Sequence, residues 1–160
     1  MRVTIRDLSP DSFAPYGTVI QQPTEAAEAG DDGWQWWSRT AVIPQTDQPY
    51  AVGYLSLQPG PHQFDWVECH LRSPEVIIPL GHDCLIYVGT PAVEPDWDSI
   101  EVFRVRLGQA VMLREGVWHG APLAIDQPLN ALVLLPQGTG QRDVYKATRQ
   151  GGPIHIVDIS

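Results

Sequence analysis

The sequence predicts an all-β domain made of many short strands, with one short helix near the N-terminus. Short runs of apolar and β-branched residues recur along the chain between proline, glycine and aspartate turns, a pattern typical of a sandwich or barrel. Charged residues make up only 18%, while glycine and proline number 14 and 15, a loop-rich composition. Because 160 residues suffice for one hydrophobic core, residues 1–160 are expected to form a single domain.

Helix and strand signals follow one another along the chain. Ser9 is a suitable N-cap, Pro10 suits the first helical position and Gly17 is a stop signal, so a short helix is expected between them. A polar loop is expected over 22–33. Strands are predicted at 18–20, 51–57, 64–69, 76–80, 84–89, 100–107, 110–113 and 131–135, with a further strand near 154–159. Closing these strands into one barrel would protect their edges.

Three tryptophans, Trp34, Trp36 and Trp37, crowd one short segment. Two interpretations remain open at this point. The segment is either a strand with one face on the core and the other on a neighbouring subunit, or an aromatic wall that binds a ligand.

The clearest chemical motif surrounds His119. Gly108, Arg114, Gly116 and His119 are spaced Gly-x5-Arg-x-Gly-x2-His, which resembles the second cupin motif except that Arg114 replaces its usual proline. A glycine ends one strand, a tight turn at Gly116 reverses the chain, and the next strand presents its first inward side chain. That side chain is His119.

An earlier segment resembles the first cupin motif. Strand alternation places Glu68 and His70 on one face, and the break at Ser73 and Pro74 allows Glu75 to turn to the same side. The His-x4-Glu portion is intact, while Glu68 stands where the family pattern usually has a second histidine. The resemblance implies a cupin-like double-stranded β-helix barrel, or jelly roll.

The two motifs together predict a metal site. We expect the side chains of Glu68, His70, Glu75 and His119 to converge. Their imidazole and carboxylate groups suit a divalent ion such as zinc, manganese, iron or nickel. No organic cofactor is expected.

Charge and composition limit the partners of the protein. A net charge of −9 argues against nucleic acid and anionic membranes, which both require a basic surface. A small carboxylate substrate is expected instead, with Arg72 or Arg114 binding its carboxylate and Trp118 beside it.

Two cysteines are too few for a disulfide framework, residues 1–20 show no apolar leader, and no run is long enough to span a membrane. A cytoplasmic location is therefore expected.

Most of the chain resembles the ureidoglycolate lyase family, also called ureidoglycolate hydrolase. Segment 13–20 is similar to the family's Phe-x-x-Tyr-Gly-x-Val-Ile signature. The other matching positions are Gln58-Pro59, Glu68-x-His70, Ile78-Pro79, Val117-Trp118-His119 and Pro122-Leu123. The resemblance implies a cupin-like barrel, commonly dimeric, that acts in allantoin degradation, part of purine metabolism. As a carbon–nitrogen lyase, it would release urea from ureidoglycolate and leave glyoxylate.

The chain also departs from the family pattern at several positions. Glu75 replaces a glutamine, Ser56 replaces an arginine, and Gly120 and Ala121 follow His119 where the family has a second consecutive histidine. The family's Asp-Arg-Gly-Gly segment is Pro-Gln-Gly-Thr at 136–139. The change to Glu75 restores the metal-binding carboxylate of ordinary cupins.

Cleavage of ureidoglycolate requires a base for the hydroxyl proton and an acid for the departing nitrogen. Glu75 or Glu68 is the expected base and His119 the acid, with His70 orienting the hydroxyl. If these residues hold a metal, the ion would instead bind the substrate and lower the pKa of its hydroxyl. Two alternatives remain: a metal-dependent cupin isomerase, lyase or dioxygenase acting on another small hydroxy acid or sugar, and a non-catalytic cupin that binds a small ligand.

Overall fold

A computed structural model describes residues 1–158 and shows a nearly all-β domain. The helices are α1 (Pro10–Phe13) and α2 (Thr139–Arg142). The strands are β1 (Arg2–Asp7), β2 (Gly17–Ile20), β3 (Ala29–Asp31), β4 (Trp34–Trp36), β5 (Tyr50–Leu57), β6 (Gln63–Phe64), β7 (Trp66–Cys69), β8 (Glu75–Leu80), β9 (Cys84–Gly89), β10 (Glu101–Val105), β11 (Ala110–Leu113), β12 (Trp118–His119), β13 (Leu123–Ala124), β14 (Leu129–Pro136), β15 (Tyr145–Thr148) and β16 (Ile154–Val157). The all-β prediction is confirmed.

Across residues 1–158 the strands form two large sheets and one hairpin. The nine-stranded sheet has the order β15-β7-β12-β9-β10-β1-β16-β6, with β13 also paired to β9. The five-stranded sheet has the order β2-β11-β8-β14-β5, and β3 pairs with β4. Strand β7 and strand β12 therefore lie side by side in one sheet, while β8 belongs to the facing sheet.

Two hydrophobic clusters occupy opposite faces of the nine-stranded sheet. The first packs Ile86 and Val88 of β9 against Ile77 and Leu113 of the five-stranded sheet, between the two sheets. The second covers the other face and includes Leu85, Tyr87 and Trp118. Because side chains alternate along a strand, each residue of β9 or β12 can be assigned to one cluster or the other.

The N-terminal helix confirms the local prediction. The Ser9 hydroxyl accepts the Ser12 backbone N–H at 3.1 Å and the Ser12 hydroxyl accepts the Ser9 N–H at 3.0 Å, a capping box with Pro10 in the first turn. Both described helices have four residues, and no helix in this part of the chain is long and apolar enough to cross a membrane.

Several strand predictions differ from the structure in detail. Strand β10 ends at Val105 rather than at 107, because a turn follows in which the Gln109 N–H donates to the Arg106 carbonyl. Strand β3 lies inside the predicted loop at 22–33. Strand β1 lies outside the predicted strands, although Val3 and Ile5 alternate there with polar residues. The predicted tail strand is β16, while Ile159 of that prediction lies outside the described residues.

The tryptophan segment forms the exposed β3–β4 hairpin. Trp34 and Trp36 are each 56% exposed, so the expectation that one face of this strand packs on the core is wrong. The tryptophans line a cavity of about 940 Å³ beside Ile78 and Gln109. Neither His70 nor His119 is among the described residues that line this cavity.

Candidate metal centre

Four polar side chains meet between the two sheets, where the surroundings are otherwise apolar. Glu68 lies on β7, His70 directly follows β7, Glu75 begins β8 and His119 ends β12. Glu68 pairs with His119 across β7 and β12, and Glu75 pairs with Leu113 of the first core cluster. These pairings turn Glu68, Glu75 and His119 to the interior face, and alternation from Glu68 brings His70 to the same side, as the motif spacing predicts.

The turn at Gly116 brings the two motifs together. Gly116 has a φ of 79°, in the left-handed region that glycine adopts without strain. Its N–H donates to the His70 carbonyl at 2.7 Å. The second motif is thus tied through its backbone to the first, immediately before His119 enters the interior.

Both histidines present the same ring nitrogen to one carboxylate. His70 Nδ1 donates to the Asp143 carbonyl at 2.7 Å, and His119 Nδ1 donates to the Val117 carbonyl at 2.9 Å. Both Nε2 atoms lie 3.1 Å from Oε2 of Glu75. In a neutral imidazole with Nδ1 protonated, Nε2 is an acceptor, so two lone pairs and a carboxylate converge. Such a group requires a shared proton or a bound cation.

The separations fit a metal-binding set. Ligand atoms bound about 2.1 Å from an ion are about 3.0 Å apart in octahedral and about 3.4 Å apart in tetrahedral coordination. The 3.1 Å from Oε2 of Glu75 to each Nε2 agrees with this range. Ligand atoms of Glu68, His70 and His119 also lie within 4.8 Å of one another. Backbone carbonyls that hold Nδ1–H are the usual support of metal-binding histidines.

Electrostatics inside the cluster favour charge separation. Burial opposes ionisation of Glu75, but His119 and His70 outweigh burial and lower its pKa to about 2. Burial disfavours the protonated His119 ring, but Glu75 outweighs that effect and raises the pKa of His119. Glu75 is therefore a carboxylate at neutral pH, the form that binds a metal ion.

Asp143 supports the loop that carries the first motif, although it lies in neither motif. Its buried carboxylate accepts the N–H groups of Leu71 and Arg72, each at 2.9 Å, and the Ser73 hydroxyl at 2.7 Å. Its backbone carbonyl is the group that holds His70 Nδ1. Burial opposes ionisation of Asp143, but the hydrogen bonds from Ser73, Arg72 and Leu71 outweigh burial and lower its pKa. Sequence reasoning missed this residue because no spacing pattern links it to His70.

The structure does not bring the three predicted substrate-binding residues to the cluster. Trp118 faces the second hydrophobic cluster, opposite to its neighbour His119, and its Nε1 donates to the Ala92 carbonyl at 3.1 Å. The exposed Arg72 lines a separate cavity with Arg142. The exposed Arg114 lines a groove beside Gly17 and Pro44.

The glycine after His119 is explained by packing on the outer face. A Cβ atom at Gly120 would lie 1.8 Å from the hydroxyl oxygen of Tyr87, which belongs to the second cluster. Tyr87 thus fills the space that any larger residue at 120 would need. Residue 120 therefore points to the side of the sheet that faces away from His70 and Glu75. The loss of the family's second histidine at this position removes no ligand from the cluster.

Comparison with known proteins agrees with the fold and with the motifs. The family model for ureidoglycolate lyase matches residues 1–155. Ureidoglycolate lyase of Azotobacter vinelandii is 30% identical over 151 residues, which are 88% of this chain and 89% of that protein. Ureidoglycolate lyase of Pseudomonas syringae pv. tomato is 28% identical over 144 residues, covering 86% and 85%.

A solved structure supports the fold alone. The dTDP sugar isomerase of Desulfovibrio desulfuricans superposes with a TM-score of 0.51 at 17% identity, over 84% of this chain and 83% of that chain. Because the family model spans nearly the whole sequence, including both motifs, membership follows from the sequence match and not from the shared fold. The chain belongs to the ureidoglycolate lyase family.

Proposed function

We propose that this protein is a metal-dependent ureidoglycolate lyase that converts ureidoglycolate to glyoxylate and urea. The observation that carries the proposal is the convergence of two Nε2 atoms on one oxygen of Glu75, with both Nδ1 atoms held by backbone carbonyls. The lyases that match the chain over most of their length support the choice of substrate.

Glu68, His70, Glu75 and His119 would hold the ion. Two imidazoles and two carboxylates suit zinc, manganese, iron or nickel, and the side chains alone do not select among them. A bound divalent ion supplies Lewis-acid polarisation that lowers the pKa of the substrate hydroxyl.

The reaction moves one proton within the substrate. Loss of the hydroxyl proton forms the aldehyde, the C–N bond breaks with its electron pair going to nitrogen, and that nitrogen takes up a proton. We assign this proton relay to Glu68, the more exposed of the two carboxylates at 22% against 10% for Glu75, since one of its oxygens would bind the ion and the other would be left for the proton. Glu75 is enclosed between two imidazoles and His119 faces Glu75, so these two are assigned to the metal alone.

The test measures urea and glyoxylate release with and without metal. Protein dialysed against a chelator should lose at least about 100-fold in kcat, since metal stabilisation of the developing charge is worth several kcal/mol. Adding back zinc, manganese, iron and nickel separately should restore activity with at least one ion. Undiminished turnover in metal-free protein would favour the acid–base pair of Glu75 and His119 instead. Retained metal without urea release would favour another hydroxy acid or sugar, or a binding role.

We also propose a cytoplasmic homodimer that acts in allantoin degradation. Cys69 and Cys84 are both buried free thiols, as expected in a reducing compartment.

Strand β5 leaves Val52 and Tyr54 66% and 67% exposed, and their pairing partners on β14 are Leu134 and Leu132. This apolar outer sheet face is the surface that we assign to the dimer. Light scattering should give twice the mass of 17.7 kDa, and a monomer at micromolar concentration would contradict it.

A further inference from the structure

We propose that Lys146 binds the carboxylate of the substrate, at the solvent end of a row of side chains that leads into the metal-binding cluster. The inference rests on the proposed function, because it assigns the anionic group of a small hydroxy acid to a residue outside the metal set. Lys146 is the single lysine of the chain and lies in neither cupin motif.

Strand register places Lys146 in line with the cluster. Lys146 of β15 pairs directly with Glu68 of β7, and Glu68 pairs directly with His119 of β12. Directly opposed residues on antiparallel strands present their side chains to the same face. The three side chains therefore form one row across the sheet, on the face that carries the cluster.

Exposure rises steadily along this row. The side chains of His119, Glu68 and Lys146 are 5%, 22% and 65% exposed. Strand β15 is also the edge strand of its sheet, so the row runs from the enclosed imidazole to open solvent. A substrate that approaches along the row meets the ammonium group first and Glu68 next.

The charge of Lys146 suits this role better than a structural one. Its Nζ lies 3.6 Å from Oε2 of Glu68 and 5.3 Å from the centre of the Trp66 ring, which together hold it beside the cluster. An exposed ion pair of this kind contributes little to stability. In a protein of net charge −9, a cation at the entrance favours the approach of an anionic substrate. The exposed Arg72 and Arg114 line other surfaces.

The kinetic test compares Lys146→Gln with Lys146→Arg and with a matched control. Lys146→Gln should raise KM for ureidoglycolate by about tenfold to a hundredfold, with little change in kcat. This fold-change corresponds to the loss of one hydrogen bond to a charged group. Lys146→Arg should recover part of the loss. Arg106→Gln removes one exposed cation, which forms an ion pair with Asp7 just after β10, and should leave KM unchanged.

A binding test separates this inference from the reaction itself. Calorimetry with glycolate and with uncharged glycolamide, with and without added Mn²⁺, should show tighter glycolate binding to the wild type and loss of that preference in Lys146→Gln. If ureidoglycolate is not cleaved but this pattern holds, the proposed function fails and the carboxylate site stands. Equal binding of both compounds by the wild type, or equal effects of Lys146→Gln and Arg106→Gln, would overturn the inference.

Discussion

His119→Ala should lower urea release by orders of magnitude while the protein still folds. The substitution removes one of the two Nε2 atoms that face Glu75, so the bound ion loses a ligand and Glu75 loses a partner. Because metal stabilisation of the reacting oxygen is worth several kcal/mol, kcat/KM should fall on the order of a thousandfold. Metal content after purification should fall in parallel, measured by elemental analysis.

His82→Ala is the matched control for this substitution. His82 is an exposed histidine in the turn before β9, and its removal should leave both activity and metal content unchanged. If His119→Ala leaves too little folded protein, His119→Gln keeps a polar side chain of similar size and serves the same test. Full metal occupancy together with wild-type turnover in either variant would remove His119 from the metal centre.

Asp143→Ala should cause the largest loss of stability outside the hydrophobic clusters. It leaves the N–H groups of Leu71 and Arg72 and the Ser73 hydroxyl without their acceptor in a buried loop. Loss of charge-assisted hydrogen bonds of this kind costs about 2–4 kcal/mol in the free energy of unfolding. The melting temperature should then fall by roughly 5–15 °C, measured by calorimetry. Metal affinity should also decrease, because the same loop connects His70 to Glu75.

The contribution of Asp143 should also depend on pH. Its pKa is lowered in the folded protein, so its stabilisation is fully present above the ordinary aspartate pKa of 3.8 and is lost as pH falls through the lowered value. Asp143→Asn should therefore be clearly less stable than the wild type at pH 7, and the difference should shrink towards pH 2. A destabilisation that is the same at both pH values would show that the carboxylate charge does not support this loop.

Much of the fold and the motif residues of the site could be predicted from local sequence. The His-x4-Glu spacing and the turn at Gly116 determine which way neighbouring side chains point, so the meeting of His70, Glu75 and His119 follows from strand alternation. The same alternation places Trp118 on the opposite face from His119, contrary to the expectation that Trp118 lies beside the substrate. Local patterns therefore predicted the cluster better than its surroundings.

The supporting residues could not be predicted because they depend on distant strand pairings. Lys146 reaches Glu68 only because β15 adds to the edge of β7, and Asp143 reaches His70 through the turn that precedes β15. No spacing within the sequence encodes either contact. The parallel pairing of β1 with β10 and β16 is likewise a long-range feature of this fold.

Anomalous diffraction from crystals grown with the ion that restores activity would locate the metal. One strong peak is expected within bonding distance of Nε2 of His70, Nε2 of His119 and one oxygen each of Glu75 and Glu68. An active crystal whose anomalous peak lies elsewhere, or which contains no bound ion, would contradict the assignment of these residues to a catalytic metal.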